Sequence, residues 1–132
     1  MLFRSIQIDL GDGHFTSETI SIADVWWPEH ITADIHLMYK EPLRVVADLV
    51  VMRPGMVIIH AESRDALEAL EFLREQHIRT GVALLQDTAV EGVIDLIQRS
   101  DHVLIFSGSL GSFGGQVDLS LLAKVQIGRA HV

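Results

Sequence analysis

The stretch "MVIIHAESRDALEALEFLREQHIRTGVALL" (56–85) decides the architecture. It opens on an apolar run, MVIIHA (56–61), passes through a helical pattern, RDALEALEFLREQH (64–77), and closes on a second apolar run, TGVALL (80–85). Within the middle segment Ala66, Leu67, Leu70, Leu73 and His77 return near one face of a 3.6-residue period, and Ser63 stands where an N-cap belongs. A strand, a helix and a strand in that order call for parallel pairing through a right-handed crossover. The two flanking runs carry almost no polar residues, as expected of strands covered on both faces.

Working outward, the same unit recurs. IQIDL (6–10), ADIHLM (33–38) and HVLIF (102–106) join the two runs above at intervals of roughly 22 to 27 residues, the length of a strand, a helix and two short loops. Between them, PLRVVADLVVMR (42–53) places Pro42 in a first helical turn. DTAVEGVIDLIQR (87–99) sets Thr88 and Glu91 at capping-box spacing ahead of a stripe of Val90, Val93, Ile94 and Ile97. In IQIDLGDGHF (6–15), alternation puts Gln7 and Asp9 on one strand face and Ile6, Ile8 and Leu10 on the other, and Asp12-Gly13 reads as the turn that ends the strand.

Composition narrows the class. With 132 residues and 48% hydrophobic content the chain supports one domain with a core, not two. Five units do not close an eight-stranded barrel, which takes about 250 residues. The expectation is an α/β fold with an open sheet, either complete as such or part of something larger. No twenty-residue apolar run and no charged-then-apolar leader occur, so a cytoplasmic protein without a membrane partner is expected. The absence of cysteine excludes disulfides, thiolate nucleophiles and cysteine-zinc sites, leaving His, Asp and Glu as metal ligands. Eighteen acids against ten bases, a net charge of −8, argue against a nucleic-acid partner.

The two ends stand apart. MLFRS (1–5) can be encoded GTG CTC TTC CGA TCT and IGRAHV (127–132) ATC GGA AGA GCA CAC GTC, strings that are reverse complements over most of their length. Read as read-through of a sequencing-library adapter, 1–5 and 127–132 fall outside the repeats and the domain is 6–126.

In a parallel α/β protein, functional residues gather where strands finish. Those positions hold Asp9 and Asp12, His36 and Met38, His60 and Glu62, Gln86 and Asp87, then Ser107 and GSLGSFGGQ (108–116). An unpartnered polar group in a strand core costs about 1–3 kcal/mol, so one shared site explains them more simply than separate accidents. Each residue also has a plainer reading: Asp12-Gly13 as a turn, His14 as a loop side chain, His36 as a core histidine, and His60 with Glu62 as packing and hydrogen bonding. Met38, Trp26, Trp27 and Phe113 read equally as core or as cover over a ligand, and the glycine run as a flexible linker.

Taken in order and spacing, IQIDLGDGHF, ADIHLMYKEP, IIHAES, GVAL followed by DTAVE, and FGGQ resemble the ribulose-phosphate 3-epimerase family and its close sugar-phosphate epimerase relatives. The resemblance implies a partial TIM (β/α)8 barrel, strands two to six with their helices. It implies Asp9 as a general acid/base and metal ligand, and His36 as a second ligand. Gln7 stands where a ligand histidine is usual. Gln7, His14, Met38, Gly114, Gly115 and Gln116 become substrate-binding positions, the glycines at the phosphate. A divalent metal, zinc or similar, a phosphorylated sugar substrate and a homo-oligomer of the whole protein are likewise implied.

The second acid/base, an aspartate on strand seven, would lie outside these residues. Gly11 and Phe106 replace methionines, and the loop before FGGQ carries an extra residue, which marks a divergent subgroup. The same barrel would also serve a keto sugar acid phosphate decarboxylase, a hexulose phosphate epimerase or a non-catalytic phosphate-binding protein. Inverting a carbon beside a ketone needs a carboxyl group on each face, and Asp9 is one candidate.

Overall fold

The computed structural model describes residues 4–17, 19–108, 110 and 115–129. Six strands form one sheet in the order β2-β1-β3-β4-β5-β6: β1 (Ser5–Asp12), β2 (Thr19–Ile20), β3 (Thr32–Met38), β4 (Met56–His60), β5 (Arg79–Leu84) and β6 (His102–Ile105). All neighbours run parallel except β2, which folds back antiparallel on the end of β1 through Gly11 and Asp12. The five strands read from the sequence are those of the parallel sheet, and the sheet is open, as a partial TIM barrel requires. β2 is an addition: two exposed residues carry no periodic signal.

Among the described residues the α-helices are α1 (Val46–Val51), α2 (Ala66–Glu75), α3 (Ile94–Gln98) and α4 (Ala123–Arg129). Strand alternation divides the sheet into two faces. Leu10, Ala33, Ile35, Leu37, Val57 and Ile59 turn to the helices and make the main core with Val46, Leu49, Ala69, Leu70 and Leu73. Val82 and Leu84 continue that layer beneath Val90 and Ile97. The opposite face carries Gln7, Asp9, His36, Met38, His60 and Ala83, with Met56 and Ile58 packed below.

Local details depart from the expected caps. Ser63 does not cap α2; its hydroxyl donates to the Tyr39 carbonyl at 2.6 Å, tying the end of β4 to the end of β3, and the cap position falls to Asp65 in the left-handed region at φ 54°. His77 is not on the buried face of α2. It is the exposed left-handed residue just past the helix, where the Ile78 N–H reaches the Leu73 carbonyl at 3.0 Å and the His77 N–H the Arg74 carbonyl at 2.9 Å, a Schellman ending. The Thr88–Glu91 capping box does not form: Val90–Val93 is a 3-10 turn without a side-chain cap, and only Ile94–Gln98 is α-helical. Pro42 does start a helical turn, the 3-10 turn Pro42–Arg44 ahead of α1. Ser5 lies in β1 opposite Thr32, and Ile127 on α4 packs against the Val82–Leu84 layer, so regular structure extends into both terminal stretches.

Candidate active site

The carboxyl ends of β1, β3 and β4 bring a line of polar side chains onto one face. Register sets Asp9 opposite His36, and His36 opposite Ile58, two residues short of His60. Asp9 Oδ1 sits 3.1 Å from His36 Nδ1 and accepts the Gln7 Nε2–H at 3.0 Å. On its other side His36 Nε2 is 2.8 Å from His60 Nε2. His60 Nδ1 then looks toward Glu62 Oε1 across 3.7 Å, too far for a hydrogen bond, and has no other partner.

Exposure grades along this line. The Asp9 side chain is 54% exposed and open to a ligand, whereas His36 is at 3% and His60 at 0%. Phe15 leans on the His60 ring with centroids 4.9 Å apart, and Phe106 lies 6.1 Å from His36, so the apolar side of the cleft is aromatic. Burial, and then the adjacent His60, hold the His36 imidazole below its usual pKa against the opposing pull of Asp9, which keeps it neutral at physiological pH. Glu62 is pushed up by burial, but the His60 ring and the Leu85 N–H at 2.7 Å bring it below the usual carboxylate value.

Asp12 is a structural clamp. Its Oδ1 accepts the N–H groups of His14 at 2.8 Å and Phe15 at 2.7 Å, and its Oδ2 accepts that of Lys40 at 2.7 Å. Burial pushes its carboxyl up, yet these bonds from Lys40, Phe15 and His14 hold it below the usual value. Burial, and then the same carboxylate, raises the Tyr39 phenol. The clamp fixes the turn after β1 against the end of β3, and with it the spacing of Asp9 and His36.

The remaining candidates are placed as follows. Met38 is buried at the end of β3, opposite Gly11, on the same face as His36. The His14 side chain is exposed beside the Asp12 turn. Gly114 and Phe113 lie outside the described residues. Gly115 takes φ +118°, backbone that favours glycine, and leads into exposed Gln116. The helical turn that follows is not a free anion site: Asp118 already caps it, accepting from Ser120 N at 3.0 Å and Ser120 Oγ at 2.6 Å. A phosphate at this rim would therefore rely on loop N–H groups, not on that helix start. Trp27 packs on the main core while Trp26 is 77% exposed. The His36–His60 contact is what sequence reading missed, because it depends on a diagonal between strands.

As a metal site the donor set is half complete. Two ligands of one ion, each at about 2.1 Å, stand about 3.0–3.4 Å apart, and the 3.1 Å between Asp9 Oδ1 and His36 Nδ1 fits that spacing. Among the described residues no group of three or more His, Cys, Asp or Glu side chains is placed to hold a metal ion. Gln7, the third side chain here, offers an amide.

The model of the Ribulose-phosphate 3 epimerase family matches residues 2–132. The chain belongs to this family. Among curated relatives, it is 35% identical over 94 residues to the ribulose-phosphate 3-epimerase of Encephalitozoon cuniculi, covering 70% of this chain and 43% of that one. It is 30% identical over 127 residues to that of Bacillus subtilis, covering 92% and 58%. The chloroplastic ribulose-5-phosphate-3-epimerase of Arabidopsis thaliana is 31% identical over 121 residues, covering 84% and 42%. The chain thus spans about half the length of the curated relatives it matches. Among its described residues no helix is long and apolar enough to cross a membrane.

Proposed function

We propose that residues 6–126 are strands two to six, with their helices, of a ribulose-phosphate 3-epimerase barrel, and that the whole protein interconverts ketopentose phosphates by inverting C3. The observation that carries this reading is the Asp9–His36 pair: a half-exposed carboxylate held 3.1 Å from a buried neutral imidazole at adjacent strand ends. Asp9 takes the C3 proton as general base. The electrons of the C–H bond move into a C2–C3 double bond, and the ketone oxygen becomes the enediolate oxygen. A second carboxyl group, outside these residues, returns a proton to the opposite face.

Asp9 and His36 would hold a divalent metal such as zinc, whose charge would stabilise the enediolate when bound. His36 also holds Asp9 in place, and Gln7 orients the same carboxylate oxygen. Met38 and His14 border the sugar, and the N–H groups of Gly114, Gly115 and Gln116 receive the phosphate. A loop cradle of this kind explains how a protein of net charge −8 binds an anion. That acidic balance disfavours nucleic acid, and a cytoplasmic homo-oligomer without membrane attachment fits the composition. The ends 1–5 and 127–132 remain proposed adapter sequence.

The test is completion. Joined to the rest of its barrel, the protein should convert ribulose 5-phosphate to xylulose 5-phosphate, whereas residues 1–132 alone should show no turnover. If the completed barrel binds the sugar phosphate without epimerising it, the reading fails.

A further inference from the structure

His60 has no role in the mechanism above, yet it is fully buried among strands, touches His36 and leaves one ring nitrogen unpartnered. We infer that His60 is the positioning residue of the Asp9–His36 pair, setting which nitrogen of His36 carries hydrogen, with Glu62 behind it as the terminal acceptor. Counting hydrogens leads there. An imidazole in its neutral form owns one N–H, so the pair owns two, but the line from Asp9 to Glu62 contains three gaps, of 3.1, 2.8 and 3.7 Å. One gap must lack a hydrogen.

Two nitrogens 2.8 Å apart require one N–H between them. If His60 donates it, His36 accepts at Nε2, keeps its own hydrogen on Nδ1 and donates that to Asp9. The empty gap then falls between His60 Nδ1 and Glu62, which is the long one. If His36 donates instead, its bare Nδ1 faces the Asp9 carboxylate, an arrangement that is favourable only when a cation stands between them. His60 then carries its hydrogen on Nδ1, directed at Glu62 Oε1, which the Leu85 N–H holds in place.

The two arrangements contain the same number of hydrogens. In passing from the first to the second, the hydrogen on His60 Nε2 crosses to His36 Nε2, the one leaving His36 Nδ1 is replaced by one gained at His60 Nδ1, and no net proton is released. A ligating histidine commonly donates its outer N–H to such a partner, and loss of the partner costs about 10- to 100-fold in metal affinity. The metal-linked half of this inference rests on the reading of Asp9 and His36 as ligands; the metal-free arrangement does not.

Long-range nitrogen–proton correlation spectra of the 132-residue chain test it. Without metal, His36 should carry hydrogen on Nδ1 and His60 on Nε2, and saturating Zn2+ should reverse both. In H60F, which keeps a ring against Phe15, the His36 preference for Nδ1 should weaken and Zn2+ affinity should fall about 10- to 100-fold, with H60Q restoring most of both. A metal-free His36 protonated on Nε2, or a His36 signature unchanged in H60F, overturns the inference. Correct metal-free tautomers with no Zn2+ effect at His36 support the positioning role of His60 and overturn the metal assignment alone. If H60F does not fold, the wild-type spectrum still decides.

Discussion

Replacing Asp12 should unfasten the site without touching it. The carboxylate accepts three N–H groups through two oxygens: His14 and Phe15 at Oδ1, Lys40 at Oδ2. The His14 and Lys40 bonds are exposed, so water takes them over, whereas the Phe15 N–H is part-buried and would be left poorly satisfied. Bonds to a charged acceptor are worth about 1.5–3 kcal/mol each when sheltered and less when wet, which gives about 2–3 kcal/mol for D12A. D12N should cost about half of that, because its amide oxygen can keep the His14–Phe15 pair while its NH2 group opposes the Lys40 N–H.

Since the folded carboxyl lies below its unfolded value of about 3.9, this contribution is complete above that pH and fades as pH falls through the lower folded value. Urea unfolding at pH 7 and at successively lower pH measures it. Variants within about 0.3 kcal/mol of wild type at pH 7, or a D12A deficit that stays constant into strong acid, would refute the clamp.

Other outcomes follow from single positions. A Cβ on Gly55 would overlap Thr32 Cγ2 and approach Asp34 Oδ1 to 3.1 Å, so G55A should lower stability by about 1–3 kcal/mol in the same urea assay. The Lys124 ammonium donates to the carbonyls of Leu85, Gln86 and Thr88 at 2.9, 2.7 and 2.7 Å. K124M should therefore release α4, speeding amide exchange in 123–129 by about tenfold while β3 and β4 keep their protection.

Much of this fold is legible because the β4–α2–β5 unit obeys two periods at once. Met56–His60 and residues 80–84 are buried on both faces, and α2 buries Ala66, Leu70 and Leu73 on one. What stayed hidden depends on contacts between strand ends. Ser63 has the chemistry of a cap, but the Tyr39 carbonyl lies within its reach and takes its hydrogen. His77 fits the helical period yet falls two residues beyond the helix, where Ile78 closes the chain back onto Leu73. Asp12 reads correctly as a turn residue, while its second oxygen, bound to Lys40 some 28 positions away, has no local signal. Asp9 and His36 were recognisable as neighbours from equal strand ends. The reach of His36 to His60 needed the register that sets His36 beside Ile58.

The central claim is that Asp9 moves the C3 proton. Proton NMR of ribulose 5-phosphate in heavy water, with the completed barrel, follows deuterium entering at C3. D9N should slow that incorporation by about 10²-fold or more while sugar-phosphate binding persists, because the amide keeps the side chain's shape but loses its basicity and the negative charge that would help hold a metal. Deuterium entering at the wild-type rate in D9N would contradict the account.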